Sequence, residues 1–281
     1  MHGPALWSSR SWATEGAVAP GRGLGVGRPP LNISSSASGV CPQVTGLERR
    51  SLAWLRARAR VLPGVLLQSP PWVRGVFDHA WAPVEALARE IRFLPLWLWD
   101  YLLSYEGGFV AISAGQSRYA QGRTELQGSQ VQNVAYLSVE DLARGNERTL
   151  HVLGHLVDHH LGCGGDAEGP WLSDGGGTTP IWQEAGARLP RIFGLGYAAD
   201  EVARSNPRDF FAQSLALYCR DRQGLEVADP QITKWFRSTL WAEGFWSAVC
   251  REAGSTRRSA AGPAASSSES GHDQRRDERG E

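Results

Sequence analysis

Residues 147–162 read ERTLHVLGHLVDHHLG, and this stretch decides more than any other in the chain. Leu150, Leu153, Val157 and Leu161 recur at i, i+3, i+7 and i+11, the stripe of an amphipathic helix. On the neighbouring face His151 and His155 stand four residues apart, so their rings lie one turn apart and point the same way. That is how two histidines on one helix chelate a single ion. The chain has seven histidines, enough for one such pair to arise by chance, so spacing alone leaves ligand and coincidence both open. His159 makes a second, overlapping pair with His155. All three cannot serve one ion from an unbroken helix, because eight residues span ~12 Å and Zn–N bonds are ~2 Å. Gly154 costs the helix ~1 kcal/mol, which predicts a close backbone approach there, by a neighbouring strand.

Outward from this helix the fold class becomes readable. Gly107-Gly108 marks a turn into a short strand at Phe109–Ser113 (FVAIS), and Val131–Val139 (VQNVAYLSV) is a second strand whose acidic end opens a helix. Leu94 to Leu103, interrupted by Pro95 and Asp100, reads as a core helix or turn. Leu47 to Leu62 has helical spacing with arginines around the wheel. It suits a packed helix with a basic solvated face better than a membrane-surface or partner helix. Trp81 to Ile91 is helical again, from near Pro83. The sum is an α+β fold, a small sheet followed by helices that carry the site. Residues 1–45 and 253–281 are rich in small and charged residues and predict disordered ends around a helical lead-in at 46–93 and a domain at 94–252.

Composition narrows the function without choosing it. The chain has 281 residues, 42% hydrophobic content and twelve tryptophans, enough for a real core. Formal net charge is zero, which gives no global field for nucleic acid or for an anionic membrane. No stretch approaches ~20 uninterrupted apolar residues, so no transmembrane segment is expected. The N-terminus lacks the layout of a signal peptide. The chain reads as soluble, with its compartment open. Cys41, Cys163, Cys219 and Cys250 are scattered, and their pairing is open too.

A second stretch, Asn206 to Tyr218 (NPRDFFAQSLALY), places Asn206, Pro207 and Asp209 at the N-cap, first and third positions of a helix. Asp209 could therefore simply close a capping box. A carboxylate has two oxygens, so capping does not exclude a second task. Asp209 and Gln213, four apart, share the face opposite the apolar Phe210, Phe211, Leu215 and Tyr218.

Taken together, the two stretches resemble a known family. HVLGHLVDHHLG is similar to H-E-x-G-H-x-x-D-H-x-x-G, the zinc helix of the anthrax lethal-factor-like zinc metallopeptidases, to which the Pro-Pro endopeptidases are related. NPRDFFAQSLALY resembles that family's N-x-x-E-F-F-A-E-A-F, and Leu172-Ser173-Asp174 the loop after the zinc helix. The resemblance covers residues 94–222. It implies a zincin-like, gluzincin-type catalytic domain with Zn2+ held by His151, His155 and Asp209. It further implies Asp158, His159 and Gln213 as supporting groups around the ligands, Asp158 by hydrogen-bonding a ligand histidine. Tyr197 is the nearest match to a tyrosine that steadies the transition state, although it lies further from Asp209 than the family's spacing.

One position departs from the family in its chemistry. The glutamate that takes a proton from the attacking water is replaced by Val152, which can accept none. General-base catalysis is worth ~10²–10⁴ in rate. The resemblance therefore implies a zinc-binding domain with impaired hydrolysis that keeps a peptide or protein ligand in its cleft. Two alternatives stand beside it: an active endopeptidase using another base, with Glu168, Asp174 and Glu184 the loop carboxylates to consider, and a metal-free helical interaction protein.

Overall fold

A computed structural model describes residues 46–260; the expected disordered ends, except 253–260, lie outside the described residues. Helix α1 (Gly46–Arg58) leads into strand β1 (Ala59–Val61), two short helices α2 (Val65–Gln68) and α3 (Pro71–Val76), then α4 (Ala82–Ile91) and α5 (Leu96–Leu103). The spacing predicts that the first helix reaches Leu62, but it ends at Arg58. Ala59–Val61 instead pairs in parallel with β2 (Phe109–Ser113), and the Leu62 N–H donates to the Ile112 carbonyl at 2.9 Å. Pairing with a distant strand outweighs local periodicity here. The ring of Trp54 on α1 packs 4.8 Å from that of Trp99 on α5, so the lead-in helix α1 shares a core with the domain expected from residue 94.

Two further strands complete the sheet. β3 (Arg118–Leu126) and β4 (Ser129–Ser138) form a hairpin whose two-residue turn, Gln127-Gly128, has both φ angles positive at 52° and 77°. That is the turn geometry that matches strand twist. The strand order is β1-β2-β4-β3, with β4 parallel to β2 and antiparallel to β3. Register shifts between Ala120 and Arg123, where Asn133 takes a φ of 60° and its Oδ1 accepts from the Gly122 N–H. One sheet face sends Val110, Ile112, Ala135 and Leu137 into the main core, and the other keeps only a small cluster around Ala111, Leu126 and Val134.

From β4 onward the chain is helical. Ser138 caps α6 (Val139–Arg144) by accepting from the Glu140 N–H. After it come α7 (Arg148–Cys163), α8 (Pro180–Gly186), α9 (Leu189–Gly194), α10 (Pro207–Arg220), α11 (Arg222–Ala228), α12 (Pro230–Ser238) and α13 (Glu243–Ala260). The fold is α+β, as the order of periodic segments predicts. α13 runs eight residues past the expected domain end at 252. α7 lies against β4 and β3 on one side and against α10 on another. It is the most enclosed helix, with Leu150, Leu153, Val157 and Leu161 all buried. Among the described residues no helix is long and apolar enough to cross a membrane, and Cys163, Cys219 and Cys250 are free thiols.

Candidate metal centre

The site begins with a glycine. A Cβ at Gly154 would lie 2.7 Å from Ala212 Cα and 3.0 Å from the Ala212 carbonyl oxygen, so α7 and α10 cross backbone against backbone. The close approach expected at Gly154 is real, but the neighbour is this helix and not a strand. Gly154 lies between His151 and His155, and Ala212 between Asp209 and Gln213. The crossing therefore sets the two histidines opposite the carboxylate and the amide.

Three atoms converge there. His151 Nε2 and His155 Nε2 are 3.1 Å apart, and Asp209 Oδ1 lies 3.6 Å from the first and 3.2 Å from the second. For tetrahedral zinc with bonds of ~2.0–2.1 Å, ligand atoms stand about 3.3 Å from one another. The observed triangle has that size, and the three residues form a group able to hold a metal ion. Their donor set, two imidazole nitrogens and a carboxylate oxygen, suits zinc and also other divalent ions.

Both uses of Asp209 coexist because they take different oxygens. Asn206 caps α10 by accepting from the Arg208 and Asp209 N–H groups. Asn206 Nδ2 and Ser205 Oγ then donate to Asp209 Oδ2 at 2.6 and 2.7 Å. This leaves Oδ1 for the histidines. Hydrogen bonding to His155, with Ser205 and Asn206 adding to it, holds the Asp209 carboxyl well below the usual carboxylate range.

Gln213 sets the protonation of His151. Its Nε2 donates to Asp200 Oδ2 at 2.8 Å and to Glu147 Oε1 at 3.3 Å, so Oε1 is the free acceptor. Oε1 lies 3.0 Å from His151 Nδ1, which therefore carries the proton and leaves Nε2 its lone pair. Fixing the far nitrogen of a ligand histidine in this way orients it for metal. Burial, followed by the neighbouring His155, lowers the His151 pKa and keeps the ring neutral. His155 is held differently. Its buried Nδ1 has no partner, and the ring is walled by Tyr119 at 6.3 Å, near parallel, and Trp171 at 6.0 Å.

Two residues expected to support the ligands do other work. Asp158 contacts no ligand histidine. It is fully buried and accepts from the Ser173 N–H at 2.8 Å and the Ser173 hydroxyl at 2.6 Å, tying α7 to the Leu172-Ser173-Asp174 loop. Burial pushes its pKa up to about 8, against the Ser173 bonds. His159 lies a turn beyond the triangle. Its Nε2 donates to the Asp166 carbonyl at 2.8 Å, so its Nδ1 accepts from the Tyr119 hydroxyl, also at 2.8 Å.

An open cleft of about 420 Å³ leads to the triangle. Its lining comes from Ser117, Arg118, Tyr119 and Gln121 on and before β3, from Arg148, His151, Val152 and His155 on α7, and from Trp171, Asn206, Arg208 and Asp209. Tyr197 is not among them and is 53% exposed. The tyrosine that reaches the cleft is Tyr119, which local sequence signals do not pick out because its strand is polar and bulged. Val152 lines the cleft while being only 2% exposed. Asp209 is the sole carboxylate in this lining. Asp174 is paired with Arg208 at 2.8 Å, Glu168 and Glu184 are exposed elsewhere, and Glu147 and Asp200 line a separate hollow across His151. Arg148, one turn before His151, and the outer pair Glu147 and Asp200 are further site residues that motif reading passes over; Asp200 sits in a loop with no local signal. No family model and no curated protein matches the chain.

Proposed function

We propose that the domain carrying this cleft, expected at 94–252 and sharing its sheet and core with the lead-in segment, is a zincin-like, gluzincin-type metallopeptidase domain that binds zinc, hydrolyses peptides weakly or not at all, and holds a peptide in its cleft. One observation carries the reading: the triangle of His151, His155 and Asp209 has the dimensions of three corners of a zinc tetrahedron. A zinc ion in that triangle supplies Lewis-acid chemistry. His151 and His155 would each offer a ring nitrogen to it and Asp209 a carboxylate oxygen, while Gln213 orients His151.

Support for impaired hydrolysis comes from the cleft lining. Val152 accepts no proton, and Asp209, the only lining carboxylate, is engaged with the histidines. Losing general-base catalysis of ~10²–10⁴ corresponds to ~3–5 kcal/mol of barrier. Support for peptide binding comes from β3, an edge strand beside the cleft whose outer backbone can pair with an extended chain.

The test is zinc-supplied cleavage of a peptide library by the parent and by Val152→Glu. The expected result is background cleavage by the parent and a gain of about 10²–10⁴ in the variant. Val152 packs in the main core, so folding of the variant is checked beside it by denaturant titration. Chelator-sensitive cleavage by the parent, abolished by His155→Ala, would show an active endopeptidase instead. A folded, zinc-loaded Val152→Glu without activity would refute the glutamate as the missing part.

A further inference from the structure

We infer that Asp200 is a positioning residue for the metal centre: through Gln213 it decides which nitrogen of His151 carries the proton, an inference that rests on the metal reading proposed above. A neutral imidazole has one N–H and one lone pair, and the hydrogen bond made by one nitrogen fixes the state of the other. A side-chain amide can turn over with no change of shape, so its partners choose whether oxygen or nitrogen faces the histidine. Gln213 is 4% exposed, and its Nε2 donates to Asp200 Oδ2 at 2.8 Å. Glu147 accepts from the same nitrogen at 3.3 Å but is exposed, the weaker of the two holds. With that nitrogen committed to Asp200, Gln213 Oε1 faces His151 Nδ1 at 3.0 Å and can only accept. The lone pair on His151 Nε2 is left for metal.

Asp200 is itself held in place. Its Oδ1 accepts from the Ala203 N–H at 2.8 Å. The turn that follows is closed by the Arg204 N–H on the Glu201 carbonyl at 3.2 Å and the Ser205 N–H on the Val202 carbonyl at 3.1 Å. Ser205 and Asn206, at the far end of that turn, donate to Asp209 Oδ2. One segment, 200–206, therefore governs two of the three ligands. Asp200 acts on His151 through Gln213, while Ser205 and Asn206 leave Asp209 one oxygen for metal. The hollow that Asp200 and Glu147 line across His151 thus has a task, although neither carboxylate belongs to the triangle.

Asp200→Asn is the isosteric test. Its Oδ1 can keep the Ala203 bond, which sets an amide N–H group against Gln213 Nε2 and turns the Gln213 amide over. That amide then donates to His151 Nδ1, and the proton moves to His151 Nε2. The full chain, isotope-labelled at histidine nitrogen, is measured without metal by long-range proton–nitrogen correlation NMR, with His151→Ala identifying the signals. The parent is expected to show Nδ1 protonated, and Asp200→Asn to show Nε2 protonated. Zinc affinity, from competition with a chromophoric chelator, should fall about tenfold in the variant. Adding Gln213→Glu to Asp200→Asn supplies one acceptor for the new amide and another for His151 Nδ1. The parent tautomer should then return, with zinc affinity within about threefold of the parent; a loss caused by packing alone would not be repaired this way. A folded Asp200→Asn with the parent tautomer or the parent zinc affinity overturns the inference, as does a double variant as weak as the single one. The two readings fail separately, because the tautomer is read without metal. A parent with His151 Nε2 protonated refutes the role of Asp200, and a parent with Nδ1 protonated that takes up no zinc refutes the metal reading alone.

Discussion

Replacing Gly154 by alanine tests the geometry on which the site depends. The new Cβ would sit 2.7 Å from Ala212 Cα, where ordinary contact begins at 3.4 Å, so α10 must retreat by about 0.7 Å. His151 and His155 are both on α7, and their 3.1 Å spacing would survive. The two distances to Asp209, now 3.2 and 3.6 Å, would open toward about 4 Å, beyond the ~3.3 Å that tetrahedral zinc requires. Overpacking of this kind costs ~1–3 kcal/mol, against ~1 kcal/mol gained in helix propensity. The expected net loss is up to about 2 kcal/mol in a urea titration, with zinc affinity falling roughly 10–100-fold, the range seen when ligand support is disturbed. Gly194→Ala is the control, because no atom lies within 4 Å of its added Cβ; it should leave both quantities near the parent. A Gly154→Ala protein with parental stability and zinc affinity would refute the argument that this crossing positions the ligands.

Two further outcomes rest on buried polar groups. The Asp158 carboxyl is raised to about 8 by burial, so the folded protein keeps a proton that the unfolded chain releases near pH 4. Its contribution to stability is full below that pH and is lost as pH rises toward 8. Asp158→Asn should therefore match the parent in urea titrations at pH 4 and be more stable at pH 8.5, by up to about 5 kcal/mol; a variant weaker at pH 8.5 would contradict this. Tyr119→Phe removes the hydroxyl that donates to His159 Nδ1, leaving that nitrogen unpaired at a cost of about 1–2 kcal/mol. Zinc content should stay unchanged, because neither group belongs to the triangle.

The parts of the molecule legible in the sequence are those whose signals are local. α7 and α10 declare themselves through apolar periodicity, and the Asn206-Pro207 cap fixes where the second begins. The four-residue spacings of His151 with His155 and Asp209 with Gln213 come from helix geometry once those helices are granted. β2 is bounded as the FVAIS run predicts. The features that escaped are those decided by pairing over distance. β3, RYAQGRTEL, is polar on both faces, contains Gly122 and carries the bulge opposite Asn133, so it shows no clean alternation. β1 looks helical until β2 is present to pair with it. With β3 unread, Tyr119 could not be placed in the cleft, and Tyr197 stood in for it. The expectation that Asp158 serves a ligand histidine comes only from the resemblance to the family's zinc helix, and side-chain direction turns Asp158 to Ser173, a partner fifteen residues on.

The most direct measurement is metal content by elemental analysis of the purified full chain supplied with zinc and then desalted, beside His155→Ala and Asp209→Ala. The account predicts about one zinc per chain in the parent and none retained by either variant, with both variants still folded. A parent that retains no zinc, or variants that retain as much as the parent, would contradict a metal centre built from His151, His155 and Asp209.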